Sequence, residues 1–436
     1  MLPGCSTVSS LIPRIGGPSG PPMGQPGFVR GFLGGVVADE PRAAIVARDV
    51  LSAGGSAVDA AVAGALTMSV TLPSRVGLGG GGACLIYNVS RTETEVVAFP
   101  AGGRSAALPA GTDRPAAIPM MPRGLFALYT RGGRLRFEEL IRPAEDLARL
   151  GTEISRAFAS DLAAVSGPLL ADPNARIVFG RPGGGVLTAG DRITQLDLGA
   201  TLGHLRAVGV GDLYQGGFAR RLEEASAIAG GGLTAPELRA AQVQVVPPAT
   251  VRVGNDIAAF IPPGPDGGAG TAAAFQAQAG AQGAGFAGGG AGNGASASLV
   301  AVDREGNAVS CAFSMNNLFG TGRVAPGTGI LLAAAPDIGQ VRPAPLAAAV
   351  VSNANLRSFR AAVAGSGQQA AGPAVAGTLA QLLRNQAAEA AIEAGAQQPG
   401  RANAISCPRY LPANNPTCTA GADPRGGGVA LGSFQR

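Results

Sequence analysis

The chain has 436 residues, 46% hydrophobic and 14% charged, with 69 glycines and a formal net charge of +5. That length buries a large core in one big domain or two, and the glycines follow no Gly-x-y period, which excludes collagen. The basic residues are all arginines spread along the chain and aromatics are only 4%, so the basic stripe and stacking surface of a nucleic-acid binder are missing. No uncharged apolar run reaches the ~18 residues of a membrane-spanning helix. His204 is the single histidine and the cysteines lack metal-ligand spacing, so neither a metal nor another cofactor is expected.

Residues 1–34 are rich in Gly, Pro and Ser and read as a disordered leader or tether. Within them Leu2-Pro3-Gly4-Cys5 reads either as the end of a bacterial lipoprotein signal, with Cys5 lipidated, or as an ordinary cysteine near a terminus. Val36 to Ala38 forms a short strand. Asp39-Glu40-Pro41 opens a helix that runs to Ser52 and stops at Gly54-Gly55. Ser56 and Asp59 have capping-box spacing and start a second helix that ends near Thr71, before Pro73. Gly77 to Gly82 leads into a strand over 83–88. It has no following lysine and no helix to offer an anion, so it reads as a tight turn and not a phosphate cradle. A strand over 95–100 leads to a turn and Arg104.

Helical periodicity appears next, over 120–165, and Thr234 and Glu237 form another capping box. His204 lies in a helix with no nucleophile motif nearby, which argues against a Ser-His-Asp triad. Residues 262–292 are a Gly/Ala-rich linker with one short helix over 272–279. A hairpin comes after it, with strands over 298–303 and 308–313 joined by Arg304-Glu305-Gly306-Asn307. At its mouth stands Ser296. Cleavage before such a residue frees an α-amine, which titrates near pH 7.7–8.0 (about the unperturbed value) and can serve as the base for its own hydroxyl.

Further on, strands over 346–352 and 359–364 precede Gly365-Ser366-Gly367-Gln368-Gln369 and a helix over 374–383. Such a turn presents backbone N–H groups able to hold an oxyanion. Cys84 and Cys311 read as small core residues. Cys407 and Cys418 flank a Pro/Asn-rich loop that a disulfide could close, which would need an oxidising compartment.

The run from Asp303 through Gly306-Asn307, Asn316, Phe319-Gly320 and Gly329-Ile330-Leu331-Leu332, with the Gly-Gly and Ala-Val-Asp-Ala-Ala segment near residue 57, resembles the γ-glutamyltransferases. These are N-terminal-nucleophile hydrolases. The resemblance covers residues 35 to 255 and 293 to 436. It implies an α+β fold, a four-layer αββα sandwich. It also implies self-cleavage before Ser296 into a large part (35–295) and a small part (296–436) that stay associated.

The resemblance assigns Ser296 as nucleophile, Ser314 as the hydroxyl that bonds it, and Gly367 and Gln368 as oxyanion donors. Arg104 would pair with the substrate's α-carboxylate, and Asn316 and Asp337 would bind substrate. The implied substrate is a small-molecule amide, glutathione-like or another acyl amide. The implied setting is the periplasm, or a membrane anchor through Cys5.

The chain departs from the family pattern in places. Serine replaces the catalytic threonine, and Ala297 and Ser298 replace the Thr and His that come after it, which leaves Ser298 as an alternative nucleophile. The family's acidic residue for the α-amine falls at Ile338, beside Asp337. The Ser-Ser pair after Arg342-Pro343 is replaced by Pro345-Leu346. Such losses would suit another amide, such as a dicarboxylic monoamide. They would also suit a paralogue kept for binding after its chemistry was lost.

Overall fold

The computed structural model describes residues 33–104, 107–264, 268–280, 295–396, 399–413 and 416–433. Cys5, with the leader up to residue 32, lies outside the described residues, as does the linker from residue 281 onward. Among the described residues, no helix is long and apolar enough to cross a membrane.

Two antiparallel sheets form the centre. The strands of the first are β1 (Gly34–Ala38), β2 (Gly81–Asn88), β3 (Glu93–Phe99), β4 (Gln244–Val246), β7 (Ser296–Asp303), β8 (Ala308–Ser314) and β13 (Val429–Gly432). Those of the second are β5 (Ala249–Val253), β6 (Asp256–Phe260), β9 (Ala347–Asn353), β10 (Ser358–Ser366), β11 (Arg401–Leu411) and β12 (Thr419–Ala422). Their orders are β13-β1-β7-β8-β2-β3-β4 and β12-β11-β10-β9-β6-β5. The hairpin β7–β8 therefore holds the middle of its sheet.

Alternation along β7 explains the layering. Leu299 and Ala301 join a core with helices α1 (Pro41–Ser52), α2 (Ala57–Thr71), α3 (Phe137–Leu150) and α4 (Leu196–Val208). Val300 and Val302 point the other way, into a second core with Val350, Phe359 and Ile405 of the facing sheet. A third core joins Val351 and Val363 to Phe275 of α5 (Thr271–Gly280), to Val375 and Leu379 of α6 (Ala371–Leu383) and to Ile392 of α7 (Ala388–Gly395). With period-2 side chains, a strand buried on both faces needs apolar residues at every position. These cores separate four layers, αββα, as expected.

Helix α2 is buried along its whole length. Its small residues permit this: a Cβ on Gly64 would lie 2.5 Å from Leu299 Cδ1. The Ser56–Asp59 capping box forms as the spacing predicts. The glycine loop before β2 is a close backbone crossing, since a Cβ on Gly79 would stand 2.3 Å from the Leu331 carbonyl oxygen.

The cysteine expectation needs correction. Cys84 and Cys311 are not free core residues; they form a disulfide. Periodicity could not reveal this, because pairing depends on register, and the register sets Cys84 directly opposite Cys311 on β2 and β8. Cys407 and Cys418 are also bonded. The first bridge spans 227 residues of sequence, so it removes more loop entropy from the unfolded chain. Replacing both partners with alanine is expected to cost about 5 kcal/mol in the chain-entropy account, against about 3 for the short loop. Denaturant midpoints of the two double variants would check this order.

Candidate active site

Ser296 is the first residue of β7 and is paired in register with Ser314, the last residue of β8. The facing sheet brings the end of β10 over this point. Ser310 Oγ of β8 donates to the Val363 carbonyl at 2.8 Å, fixing the two sheets together. Beyond β10 the chain turns at Gly367, whose φ of +110° is open to glycine and closed to most other residues.

The turn aims its amides inward. Gly367 N–H donates to Ser296 Oγ at 3.0 Å, and Gln368 N–H approaches the same atom at 3.5 Å. Ser296, Ser314 and Asn316 are all buried. In the uncut chain, then, the two amides expected to serve an oxyanion hold the hydroxyl oxygen of Ser296 itself. Donors so placed favour negative charge on that oxygen.

Ser314 takes a different position from the one expected. Its hydroxyl donates to the Ala295 carbonyl at 2.9 Å, not to Ser296 Oγ, and accepts from Asn316 N–H at 2.9 Å. Met315 N–H reaches the same carbonyl at 3.4 Å. The peptide preceding Ser296 is therefore polarised by two donors. Ser298 lies apart from this group. Its N–H and hydroxyl both donate to the Asp39 carboxylate, and it accepts from Asn403. That buried network anchors the start of β7 and occupies the Ser298 hydroxyl, while the Gly367 amide is given to Ser296.

Beside Ser314 opens a cleft of about 350 Å³ bordered by Gly81, Asn316 and Asp337. Asn316 lines it, but the ends of its side-chain amide are spent on backbone. It donates to the Ala334 carbonyl at 2.9 Å and accepts from Ala344 N–H at 3.3 Å. Its placement is that of a brace between loops. Asp337 stands exposed at the rim, 4.0 Å from Arg342.

Arg104 requires the largest correction. Its side chain is 1% exposed and bound to Glu237 by two hydrogen bonds, 2.7 and 2.8 Å long. The remaining donors go to the carbonyls of Ala116, Gly231 and Gly232. The carboxylate it meets belongs to the protein. The capping-box spacing hid this. Thr234 Oγ1 does accept from Glu237 N–H as an N-cap should, but the Glu237 carboxylate accepts from the Thr234 hydroxyl instead of its backbone N–H, and its other contacts come from 133 residues away.

Burial alone would raise the Glu237 carboxyl, but Arg104 and Thr234 outweigh it and hold it below the ordinary glutamate range. Glu237→Gln should cost about 3–5 kcal/mol at neutral pH by leaving Arg104 buried and unpaired. A depressed carboxyl stabilises the fold above its unfolded pKa, about 4.3, and that stability is lost as pH falls through the folded value. Urea midpoints of wild type and variant should therefore converge in acid.

His204 Nε2 lies 2.7 Å from Asp212 and its ring packs on Phe218; these contacts belong to helix packing. Among the described residues no cluster of His, Cys, Asp or Glu could hold a metal.

The four layers, with a hydroxyl residue opening a central strand beneath inward-facing amides, define an N-terminal-nucleophile hydrolase fold. Cephalosporin acylase from Bacillus halodurans superposes with a TM-score of 0.75 at 17% identity, over 92% of this chain and 96% of that one. The gamma-glutamyltranspeptidase family model matches residues 43–286, and the chain belongs to that family. It is 31% identical over 248 residues to glutathione hydrolase 3 of Arabidopsis thaliana, which is 54% of this chain and 38% of that protein. The glutathione hydrolase proenzyme of Bacillus subtilis is 30% identical over 219 residues, 47% of this chain and 37% of that protein. The chain thus spans about two fifths of the length of these curated relatives, and the family match ends before Ser296.

Proposed function

We propose that this protein is a self-processing amidohydrolase of the γ-glutamyltransferase type, acting on a glutathione-like or other acyl amide. The observation that carries the reading is the Gly367 N–H to Ser296 Oγ hydrogen bond, made across two sheets by residues 71 apart in sequence.

In the first step Ser296 Oγ attacks the Ala295 carbonyl, whose oxygen is held by Ser314 Oγ and Met315 N–H. The Oγ–C bond forms, the peptide C–N bond breaks, and the nitrogen leaves as a free α-amine. Water resolves the ester and separates residues 1–295 from 296–436. The same hydroxyl then attacks the substrate's amide carbonyl while the α-amine takes its proton and passes it to the departing amine. Water or an acceptor amine releases the acyl group. Two disulfides favour an oxidising compartment such as the periplasm.

Mass analysis of the purified protein tests the reading. Two chains are expected, the smaller beginning at Ser296 with a free amine. An intact chain that nonetheless hydrolyses acyl amides would refute it.

A further inference from the structure

Resting on that reading, we propose that the acyl group this protein accepts carries no carboxylate: the cleft beside Ser314 takes a neutral acyl chain, in place of the γ-glutamyl group. The uncut chain marks where the acyl group goes. Ala295 supplies the carbonyl that Ser296 would attack, and Ser314, which binds that carbonyl, also borders the cleft. A substrate carbonyl set in the same place would send its chain into this space.

The walls of the cleft set the chemistry of that chain. Ala98, Ala101, Ile118, Met120 and Leu346 supply apolar surface, and Gln242 and Gln244 contribute neutral amides. Among the described residues lining the cleft, Asp337 alone is charged; it sits at the rim and would repel an anion. Arg104 is next to Gly103 of the wall, yet its guanidinium turns away to Glu237 and three carbonyls. Recruiting it would strand Glu237, which is 5% exposed. A carboxylate entering this cleft would lose its water and find no cation among the lining residues. Arg342 stands outside at the rim, exposed and 4.0 Å from Asp337, so burial of the charge goes uncompensated and disfavours binding. An alkyl end meets apolar walls of suitable chemistry.

The reaction balances as a simple acyl transfer. Ser296 Oγ bonds to the acyl carbon as the C–N bond breaks, and the amine departs with the hydroxyl proton. Water then cleaves the ester to a carboxylic acid and restores the hydroxyl.

The test compares pentanoyl, glutaryl and γ-glutamyl p-nitroanilides on the processed protein. The first two share a chain length and differ in a methyl against a carboxylate. Pentanoyl is expected to exceed both others in kcat/KM by at least about tenfold. Gln244 is exposed on β4, and Gln244→Arg should move the glutaryl-to-pentanoyl ratio upward by about tenfold. Equal or faster glutaryl or γ-glutamyl turnover overturns the neutral-acyl assignment and leaves the hydrolase reading standing. An unchanged ratio in Gln244→Arg overturns the placement of the acyl chain in this cleft. Release from no anilide, with wild type matching Ser296→Ala, overturns both readings.

Discussion

Ser296→Ala is expected to give a single uncut polypeptide and to lower acyl transfer by at least about 10⁴-fold, the scale seen when a nucleophile is removed from a covalent mechanism. The substitution deletes the atom that Gly367 N–H contacts at 3.0 Å and leaves the fold intact, since Ser296 opens a strand paired on the Ser314 side whatever its side chain. A denaturing gel reads the first effect and an anilide assay the second. Ser298→Ala is the control. It removes one member of the Asp39–Asn403 network and should lower stability by about 1–3 kcal/mol, while the two bands persist. A doublet in Ser296→Ala that vanishes in Ser298→Ala would reverse the assignment of the nucleophile.

Gly367→Ala should lower kcat by about 10²–10³-fold, the usual cost of one misplaced oxyanion-type donor. Two effects combine. The residue has φ +110°, where a Cβ is strained, and that Cβ would lie 2.9 Å from the Pro399 carbonyl oxygen and 3.0 Å from Gly400 Cα. Both neighbours are backbone, so the turn itself must shift. Its amide then moves off Ser296 Oγ. Self-cleavage should slow in parallel if the amide assists Oγ in both steps. Gly327→Ala separates strain from position. It too has positive φ, +68°, but nothing lies within 4 Å of the added Cβ. That variant should lose about 1 kcal/mol of stability and keep its rate. Equal rates in the two variants would remove the turn from the chemistry.

The local grammar of the chain carried a large part of this architecture. Helices over Pro41–Ser52 and Ala57–Thr71 lie where caps and glycines set their ends. The β7–β8 hairpin lies within two residues of its pattern. The helix after Gly367 begins earlier than expected, at Ala371, because a turn of 3-10 helix over Gln368–Ala370 feeds it directly. These features depend on neighbours a few residues apart, so composition and spacing suffice to predict them.

The site was only half legible. Ser296 and the Gly367 turn carried sequence signals, one as a hydroxyl at a hairpin mouth and the other as glycines before a helix. The polarity of their meeting carried none. That Ser314 faces the Ala295 carbonyl and that Met315 adds a second donor depend on the register of the β7–β8 pair, and that Gln244 borders the cleft depends on the pairing of β4 with β3. Arg104 shows the limit most sharply. An arginine after a turn looks the same in sequence whether it awaits a substrate or is locked to Glu237. Sequence alone determined many of the strands and helices, because those arise from short-range periodicity and steric rules, and its motifs pointed to the family by resemblance. Only the tertiary structure decided which charges are free, because pairing joins residues more than a hundred positions apart and burial makes it hard to undo.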